Sequence, residues 1–138
     1  MRVHEALKTG QTSNLVPLIV SVDDVMSISI TDPPRRTPEV PDPMVAATLR
    51  NFNAALEAAR REFDFKDSRI TGLRLMNKLI RTTYGDMVKT QPTECIDGIN
   101  LEVTLARHGT RVIVTIGDLL RINGRWKLDG WFTFREGD

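Results

Sequence analysis

The stretch from Arg111 to Arg135, RVIVTIGDLLRINGRWKLDGWFTFR, decides the fold of this chain. Two runs rich in β-branched and aromatic residues flank the dipeptide Asn123-Gly124. This dipeptide favours a two-residue type I′ turn, because both central residues of that turn need a positive φ. The stretch therefore predicts a β-hairpin in which Ile122 faces Arg125.

A two-residue turn also fixes the pairing further along both strands. The predicted pairs are Arg121–Trp126, Leu119–Leu128, Asp118–Asp129, Gly117–Gly130, Ile116–Trp131, Thr115–Phe132 and Ile113–Phe134. Two facing glycines leave the sheet without side chains at that level, so that it can bend or bulge. Like charges directly opposite each other destabilise a sheet, which makes Asp118 and Asp129 the most unusual pair.

The two aspartates have two interpretations. In the first, a bent sheet holds Asp118 and Asp129 at the mouth of a cavity, with one carboxyl neutral and one ionised, as acid–base chemistry requires. In the second, a bulge at Asp129-Gly130 turns both carboxylates towards water, since glycine beside aspartate is ordinary in bulges and turns. For the first interpretation, the predicted pocket-lining residues are Trp131, Ile116, Val114 and Tyr84.

The opposite face of the same hairpin is also apolar in the predicted register. Its predicted members are Ile113, Leu119, Phe132 and Phe134. Helices can cover only one face of the sheet, so these four residues form a predicted interface with a second copy or another protein.

Strands and helices are segregated in the remainder of the chain. Three long strands are predicted at about Ile99–Arg107, Thr110–Ile122 and Arg125–Arg135, with His108-Gly109 as a two-residue turn. Two N-terminal strands are predicted at Leu15–Val22 and Met26–Ile30. Pro17 cannot donate to a ladder and would place the first of these at an edge.

Two helices lie between these groups of strands in our prediction. The first begins at Asp42-Pro43, an N-cap followed by proline at the first helical position. Its apolar stripe consists of Val45, Leu49, Phe52, Leu56, Ala59 and Phe63. The second begins near Asp67-Ser68 and stops at Gly85. A short helix is expected around residues 3–8, an extended proline-rich connection at 31–43, and mostly loop at 86–98.

This element order predicts an α+β fold in a single domain spanning residues 1–138. The C-terminal three-strand meander and the N-terminal strands would form one antiparallel sheet packed on the two helices.

Residues Leu119 to Gly130 resemble the penultimate hairpin of the nuclear transport factor 2-like superfamily. The resemblance is carried by residues 99–135, whereas the N-terminal strands and the proline-rich connection depart from the usual helix-first order. It implies a curved antiparallel sheet wrapped around helices as a cone with an apolar pocket. The superfamily includes ketosteroid isomerase, limonene-type epoxide hydrolases, cyclases and many non-catalytic binding domains. Its enzymes commonly place pocket carboxylates on these strands.

Composition excludes several functional classes. The 138 residues carry 19 basic and 18 acidic side chains, and this balance favours neither nucleic acid nor an anionic membrane. Cys95 is the sole cysteine, so no internal disulfide forms, and its acidic neighbours Glu94 and Asp97 indicate a structural thiol. No apolar run is long enough to span a membrane. The chain lacks a signal-peptide pattern, so we predict a cytoplasmic protein, although removal of a signal from a secreted precursor would leave the same sequence.

No motif predicts a cofactor, and two scattered histidines with one cysteine predict no metal site. We expect a small non-catalytic binding or interaction domain that uses an open apolar sheet face as a homodimer or with a protein partner. A small apolar ligand would fit the same fold. One alternative is a small-molecule isomerase, cyclase or hydrolase with Asp118 and Asp129 as its acid–base pair. Another is an inhibitor or immunity-type protein.

Overall fold

Helices form the first half of the chain and strands the second half in the computed structural model, which describes residues 2–30, 42–84 and 88–137. The helices are α1 (Arg2–Thr9), a 3₁₀ helix (Ser13–Leu18), α2 (Val22–Ile28) and α3 (Pro43–Glu62). The strands are β1 (Arg69–Leu75), β2 (Lys78–Tyr84), β3 (Val88–Ile96), β4 (Ile99–Thr104), β5 (Arg111–Ile122) and β6 (Arg125–Glu136). These strands form one open, curved antiparallel sheet, which confirms the predicted α+β class.

The sheet is a bent meander. Only Met76 and Asn77 separate β1 from β2, and only Asp97 and Gly98 separate β3 from β4. Strand β1 pairs with β4, and β2 pairs with β3, so these four strands behave as two long ones with a bend at the same level. Two backbone hydrogen bonds cross the bend, Met76 N–H to the Gly98 carbonyl at 2.9 Å and Asp97 N–H to the Asn77 carbonyl at 3.0 Å.

Helix α3 begins where the sequence predicts. The Asp42 carboxylate accepts hydrogen bonds from the N–H groups of Met44 and Val45 at 2.9 and 3.2 Å, and Pro43 occupies the first helical position. The predicted apolar stripe of α3 faces the core, since Phe52, Leu56 and Ala59 are buried and the other stripe members pack beside them. The prediction for this helix is confirmed.

The main core lies between the helices and one face of the sheet, called the inner face below. From the sheet it contains Leu101, Val103, Val112, Val114, Ile116 and Leu128. A second cluster lies beyond the bend, where α2 contributes Val25 and Ile28 against Cys95, Leu120 and Ile122. A half-buried ion pair between Asp24 of α2 and Lys127 of β6, at 3.3 Å, also joins α2 to the sheet.

The two predicted N-terminal strands were wrong. Residues 15–18 belong to the 3₁₀ helix with Pro17 inside it, and the predicted strands keep two isolated bridges, Ile19 to Leu128 and Ser29 to Thr90. Residues 26–28 end helix α2, whose capping box is formed by reciprocal hydrogen bonds between Ser21 and Asp24. This box satisfies two N–H groups and stabilises the helix over the β-like pattern that follows it.

The predicted second helix was also wrong, because residues 69–75 and 78–84 form strands β1 and β2. Gly72 and the Thr82-Thr83 pair disfavour a helix interior, and pairing with β3 and β4 overrides the helical spacing. The predicted loop at 86–98 contains β3 from Val88 to Ile96. Pro92 is tolerated because it lies where the β2–β3 register shifts, opposite the interval between Arg81 and Thr83. The proline-rich connection falls largely on residues 31–41, outside the described residues.

The hairpin turn is confirmed, with Asn123 at φ 51°, Gly124 at φ 78° and Ile122 paired with Arg125. The predicted pairing holds as far as Leu119–Leu128 and then shifts by one residue between Leu119 and Gly117. Past this bulge the pairs are Gly117–Trp131, Ile116–Phe132 and Val114–Phe134. The predicted Gly117–Gly130, Ile116–Trp131, Thr115–Phe132 and Ile113–Phe134 pairs were therefore wrong.

The turn between β4 and β5 is longer than the predicted two residues. The Leu105 N–H donates to the Thr110 carbonyl at 2.8 Å, so that four residues close the loop, with His108 and Gly109 at positive φ. No helix in the described part of the chain has the length and apolar character needed to cross a membrane.

Candidate functional site

Each long strand of the sheet carries a special sequence where it bends. These four sequences are Met76-Asn77, Asp97-Gly98, Gly117-Asp118 and Asp129-Gly130. Glycine is required at Gly117, because a Cβ there would overlap the Trp131 indole and approach the Asp97 carbonyl oxygen at 2.8 Å. The Gly117–Asp118 peptide is cis. At the bend, Asp118 and Asp129 lie close enough for the Asp118 charge to act on the Asp129 carboxyl.

Asp118 is neutralised by an arginine from a different strand. The Arg81 guanidinium donates from Nη2 to Asp118 Oδ2 at 2.9 Å. The Asp118 side chain is 19% exposed and the Arg81 side chain 35% exposed. Removing one charge from a pair this shielded leaves the other poorly solvated, so breaking this ion pair costs more than breaking a surface pair would.

Asp129 has a different partner. The Tyr84 hydroxyl donates to Asp129 Oδ1 at 2.8 Å. Burial raises the pKa of the Asp129 carboxyl above its ordinary value, and the nearby Asp118 charge adds to the rise, while the Tyr84 hydrogen bond and Arg81 oppose it. Burial, together with the Asp129 carboxylate, raises the pKa of the Tyr84 hydroxyl as well. The two carboxyls are therefore in unlike environments although they share one bend.

The thiol of Cys95 lies close to this cluster and is fully buried. In strand β3, Cys95 pairs with Leu79 of β2 on one side and with Leu120 of β5 on the other. Burial raises the pKa of the Cys95 thiol, and only Arg81 acts in the opposite direction. A buried neutral thiol is a poor nucleophile, which agrees with the structural role expected from the sequence.

The chemistry available to the Arg81–Asp118 and Tyr84–Asp129 pairs is limited. A raised carboxyl pKa beside a phenol is an arrangement that can exchange a proton with a bound molecule. Both carboxylates, however, already accept hydrogen bonds from side chains of β2. Residues 2–30, 42–84 and 88–137 contain no group of three or more His, Cys, Asp or Glu side chains placed to hold a metal ion.

The structure separates the four predicted pocket-lining residues. Val114 and Ile116 are completely enclosed in the main core. The one-residue shift pairs Trp131 with Gly117. Because Gly117 and Ile116 are adjacent in the strand, their positions face opposite sides of the sheet. Trp131 therefore lies on the outer face and is exposed. The predicted sharing of one face was therefore wrong. Tyr84 alone reaches an aspartate.

The same shift divides the predicted interface residues. Phe132 and Phe134 pair with Ile116 and Val114 on the inner face, and their rings contact Phe52 of helix α3 and Phe63, the residue that follows this helix. Leu119 packs partly buried against the main core, whereas Ile113 pairs with Arg135 and alternates with the buried Val112 and Val114, so it lies on the outer face. The predicted common face was wrong, because a single bulged residue reverses the alternation of every residue beyond it.

Arg81 is the site residue that sequence reasoning missed. In a helix it falls off the apolar stripe and looks solvated, whereas in strand β2 it lies two residues from Leu79 and faces the second cluster. The signal that could have found it is the β-branched run that follows, Thr82-Thr83, which favours a strand and thus alternation.

A cavity of about 1060 Å³ lies far from the bend, between the ends of α1, α3 and β6 and the β4–β5 turn. Its polar lining mixes both signs of charge. The charged lining residues are Lys8, Glu57, Arg60, Arg61, Glu62, Asp64, Lys66, Arg107 and Glu136. This balance indicates no single class of ligand.

An apolar row at the β1 edge is the other notable surface. Ile70, Leu73 and Leu75 pair with Val103, Leu101 and Ile99 of β4, so they continue the inner face beyond the helices. Leu73 is 56% exposed and Leu75 54% exposed, whereas their neighbour Leu101 is fully buried. We call Ile70, Leu73 and Leu75 the open row.

Comparisons with protein-family models, with curated proteins and with solved structures found no match to this chain.

Proposed function

We propose that this chain is a non-catalytic interaction domain whose docking surface is the β1 edge of the sheet. The observation that carries the proposal is the open row. Three large apolar side chains extend the core-facing side of the sheet past the helix layer. Apolar surface that continues a core face and remains exposed is typical of a site that a partner covers.

The docking surface differs from the one that the sequence predicts. Phe132 and Phe134 are covered by α3, so they are not free to meet a partner. The idea of an open apolar sheet face is retained, but the face is open at the opposite edge. Either another protein or a second copy of the chain could bind at this edge. An inhibitor or immunity-type protein would bind its target through the same edge.

The internal pairing of the bend supports a non-catalytic role. Asp118 is held by Arg81 and Asp129 by Tyr84, so both carboxylates already serve the protein itself. An acid–base pair needs at least one of these groups directed at a substrate. The cluster is accounted for by its role in joining β2 to the bent β5–β6 hairpin.

Photo-crosslinking tests the docking surface directly. A photoreactive amino acid replaces Leu73 in the protein expressed in its own cells, and a matched control carries it at the exposed Thr133 of β6. We expect a discrete adduct from position 73, lost in the additional variant Leu75→Asp, and none from position 133. Equal or absent labelling at the two positions would refute the proposal.

A small-molecule enzyme is the second candidate, favoured by one observation, the raised pKa of the half-buried Asp129 beside Tyr84. Small apolar alcohols and ketones are suitable probes, because the superfamily that the hairpin resembles includes isomerases and hydrolases of such compounds. Saturable changes in Trp131 fluorescence that Tyr84→Phe abolishes would support this candidate. The resemblance itself, like the cytoplasmic location, stays a prediction.

A further inference from the structure

Strand β1 has a free edge. It pairs with β4 on one side and has no strand partner on the other within residues 2–30, 42–84 and 88–137. A register shift between Ile70 and Gly72 leaves Gly72–Leu75 as the regular part of this edge. An exposed edge strand offers unpaired N–H and C=O groups, to which an extended peptide can add as a further strand.

The two faces of β1 differ in chemistry. The open row points to the inner face, and the residues that alternate with it lie on the outer face. Arg69 and Arg74 are on this outer face, opposite Thr104 and Asn100. A strand added beside β1 would therefore meet apolar side chains on one face and the two arginines on the other. The Glu102 carboxylate of β4 also lies on the outer face beside Gly72, but Thr71 and Arg111 already hold it.

The charge of this segment is one-sided. Between Arg69 and Tyr84 the sequence has four basic residues and no acidic residue, although the whole chain is nearly balanced with 19 basic and 18 acidic side chains. Arg81 and Lys78 have acidic partners, Asp118 and Glu94. In the described part of the chain, Arg69 and Arg74 make no ion pair.

This charge disfavours a second copy as the occupant. Two β1 strands placed side by side would bring the arginines of both copies to one outer face with no acidic residue on either strand. Like charges across neighbouring strands are destabilising, whereas opposite charges contribute favourably.

We infer that the partner is a protein with an extended segment of alternating apolar and acidic residues, which pairs with β1 as an additional strand. Its apolar side chains cover Leu73 and Leu75, and its acidic side chains face Arg74, with Arg69 adding positive charge beyond the register shift. This inference rests on the proposed function and names the chemistry of the partner.

Fluorescence anisotropy with two synthetic peptides tests the inference. One labelled peptide alternates valine and glutamate, and the other alternates valine and lysine. We expect the full-length protein to bind the glutamate peptide at least tenfold more tightly. Arg74→Glu should reverse this preference, whereas Arg135→Glu, an outer-face charge on the opposite edge strand β6, should leave it unchanged.

Hydrogen exchange locates the bound peptide. We expect the glutamate peptide to slow exchange of backbone amides in Gly72–Leu75 and not in β6. Equal binding of the two peptides, binding of neither, or protection confined to β6 would overturn the inference. An adduct at position 73 together with any of these results would leave the proposed function standing. An adduct that proves to be a second copy of the chain would also overturn the inference alone.

Discussion

The inner face of the sheet is apolar at both of its edges, but among the described residues a helix covers only the β6 edge. At the β6 edge, the Phe132 ring lies 6.2 Å from Phe52 and the Phe134 ring 6.1 Å from Phe63, both in edge-to-face contact. At the β1 edge, Leu73 and Leu75 are more than half exposed. The same alternation of side chains therefore produces core at one edge and open surface at the other.

The difference between the two edges shows that an apolar strand pattern indicates which face avoids water and does not indicate what covers it. Coverage depends on where α3 lies, and α3 packs along β6. The bend with its Arg81–Asp118 pair lies between the edges. Substitutions at the covered edge, the bend and the open edge should have effects of clearly different size.

The largest effect is expected at the covered edge. Phe52→Ala should lower the free energy of unfolding by about 3–5 kcal/mol, because it removes a buried aromatic ring and leaves a cavity beneath Phe132. Denaturant unfolding measures the change. The control Ile80→Ala, at a side chain that is 57% exposed, should change stability by less than about 0.5 kcal/mol. Similar values for the two variants would remove the distinction between covered and open surface.

At the bend, Asp118→Asn should lower the free energy of unfolding by about 1–2 kcal/mol, since it leaves the Arg81 guanidinium without its anion in a half-buried setting. Repulsion between the two aspartates acting alone would instead predict a gain in stability. A double-mutant cycle with Arg81→Gln separates these effects. A stabilising Asp118→Asn would show that the ion pair is not the dominant interaction.

Asp129→Asn should have a smaller, pH-dependent effect. Burial raises the pKa of Asp129 in the folded state, so the ionised carboxylate destabilises the fold above that pKa, and the cost disappears as the pH falls through it. Asparagine can still accept the Tyr84 hydrogen bond. The variant should therefore unfold at a higher temperature than the native chain near neutral pH, with the difference shrinking on acidification. A difference independent of pH would contradict this assignment.

The smallest change in stability is expected at the open edge. Leu73→Ser should alter the free energy of unfolding by less than about 0.5 kcal/mol, because the leucine is already largely in water. The same substitution should weaken partner binding, measured with the glutamate peptide. A cost of 2 kcal/mol or more, comparable with that of a buried leucine, would show that the open row is covered within the chain itself.

Much of the fold was predictable where structure is local. The Asp42-Pro43 cap, the stripe of α3 and the Asn123-Gly124 turn each depend on a few adjacent residues, and all three are confirmed. Strands β1 and β2 were not predicted, because helical spacing and strand alternation both fit their short apolar pattern. Pairing with β3 and β4, which lie later in the chain, decided between them.

The site was half predictable for a related reason. Sequence alone indicates that Asp118 and Asp129 meet at a bend, and the structure places them there. The sequence cannot indicate that one bulged residue moves Phe132 and Phe134 to the inner face. A strand with a bulge and a strand without one can have the same composition. Arg81 was missed because its strand was missed.

The meander has a consequence for the order of folding. The β2–β3, β4–β5 and β5–β6 ladders join strands that follow one another along the chain, and the β1–β4 and β3–β5 ladders extend two of these hairpins past the bend. The entropy lost on closing the loops between the paired strands is therefore small. The contact of Phe52 with Phe132 instead joins segments far apart in sequence. We expect the sheet to form early and α3 to dock on β6 late. Substitutions in α3 should then accelerate unfolding and leave the folding rate nearly unchanged.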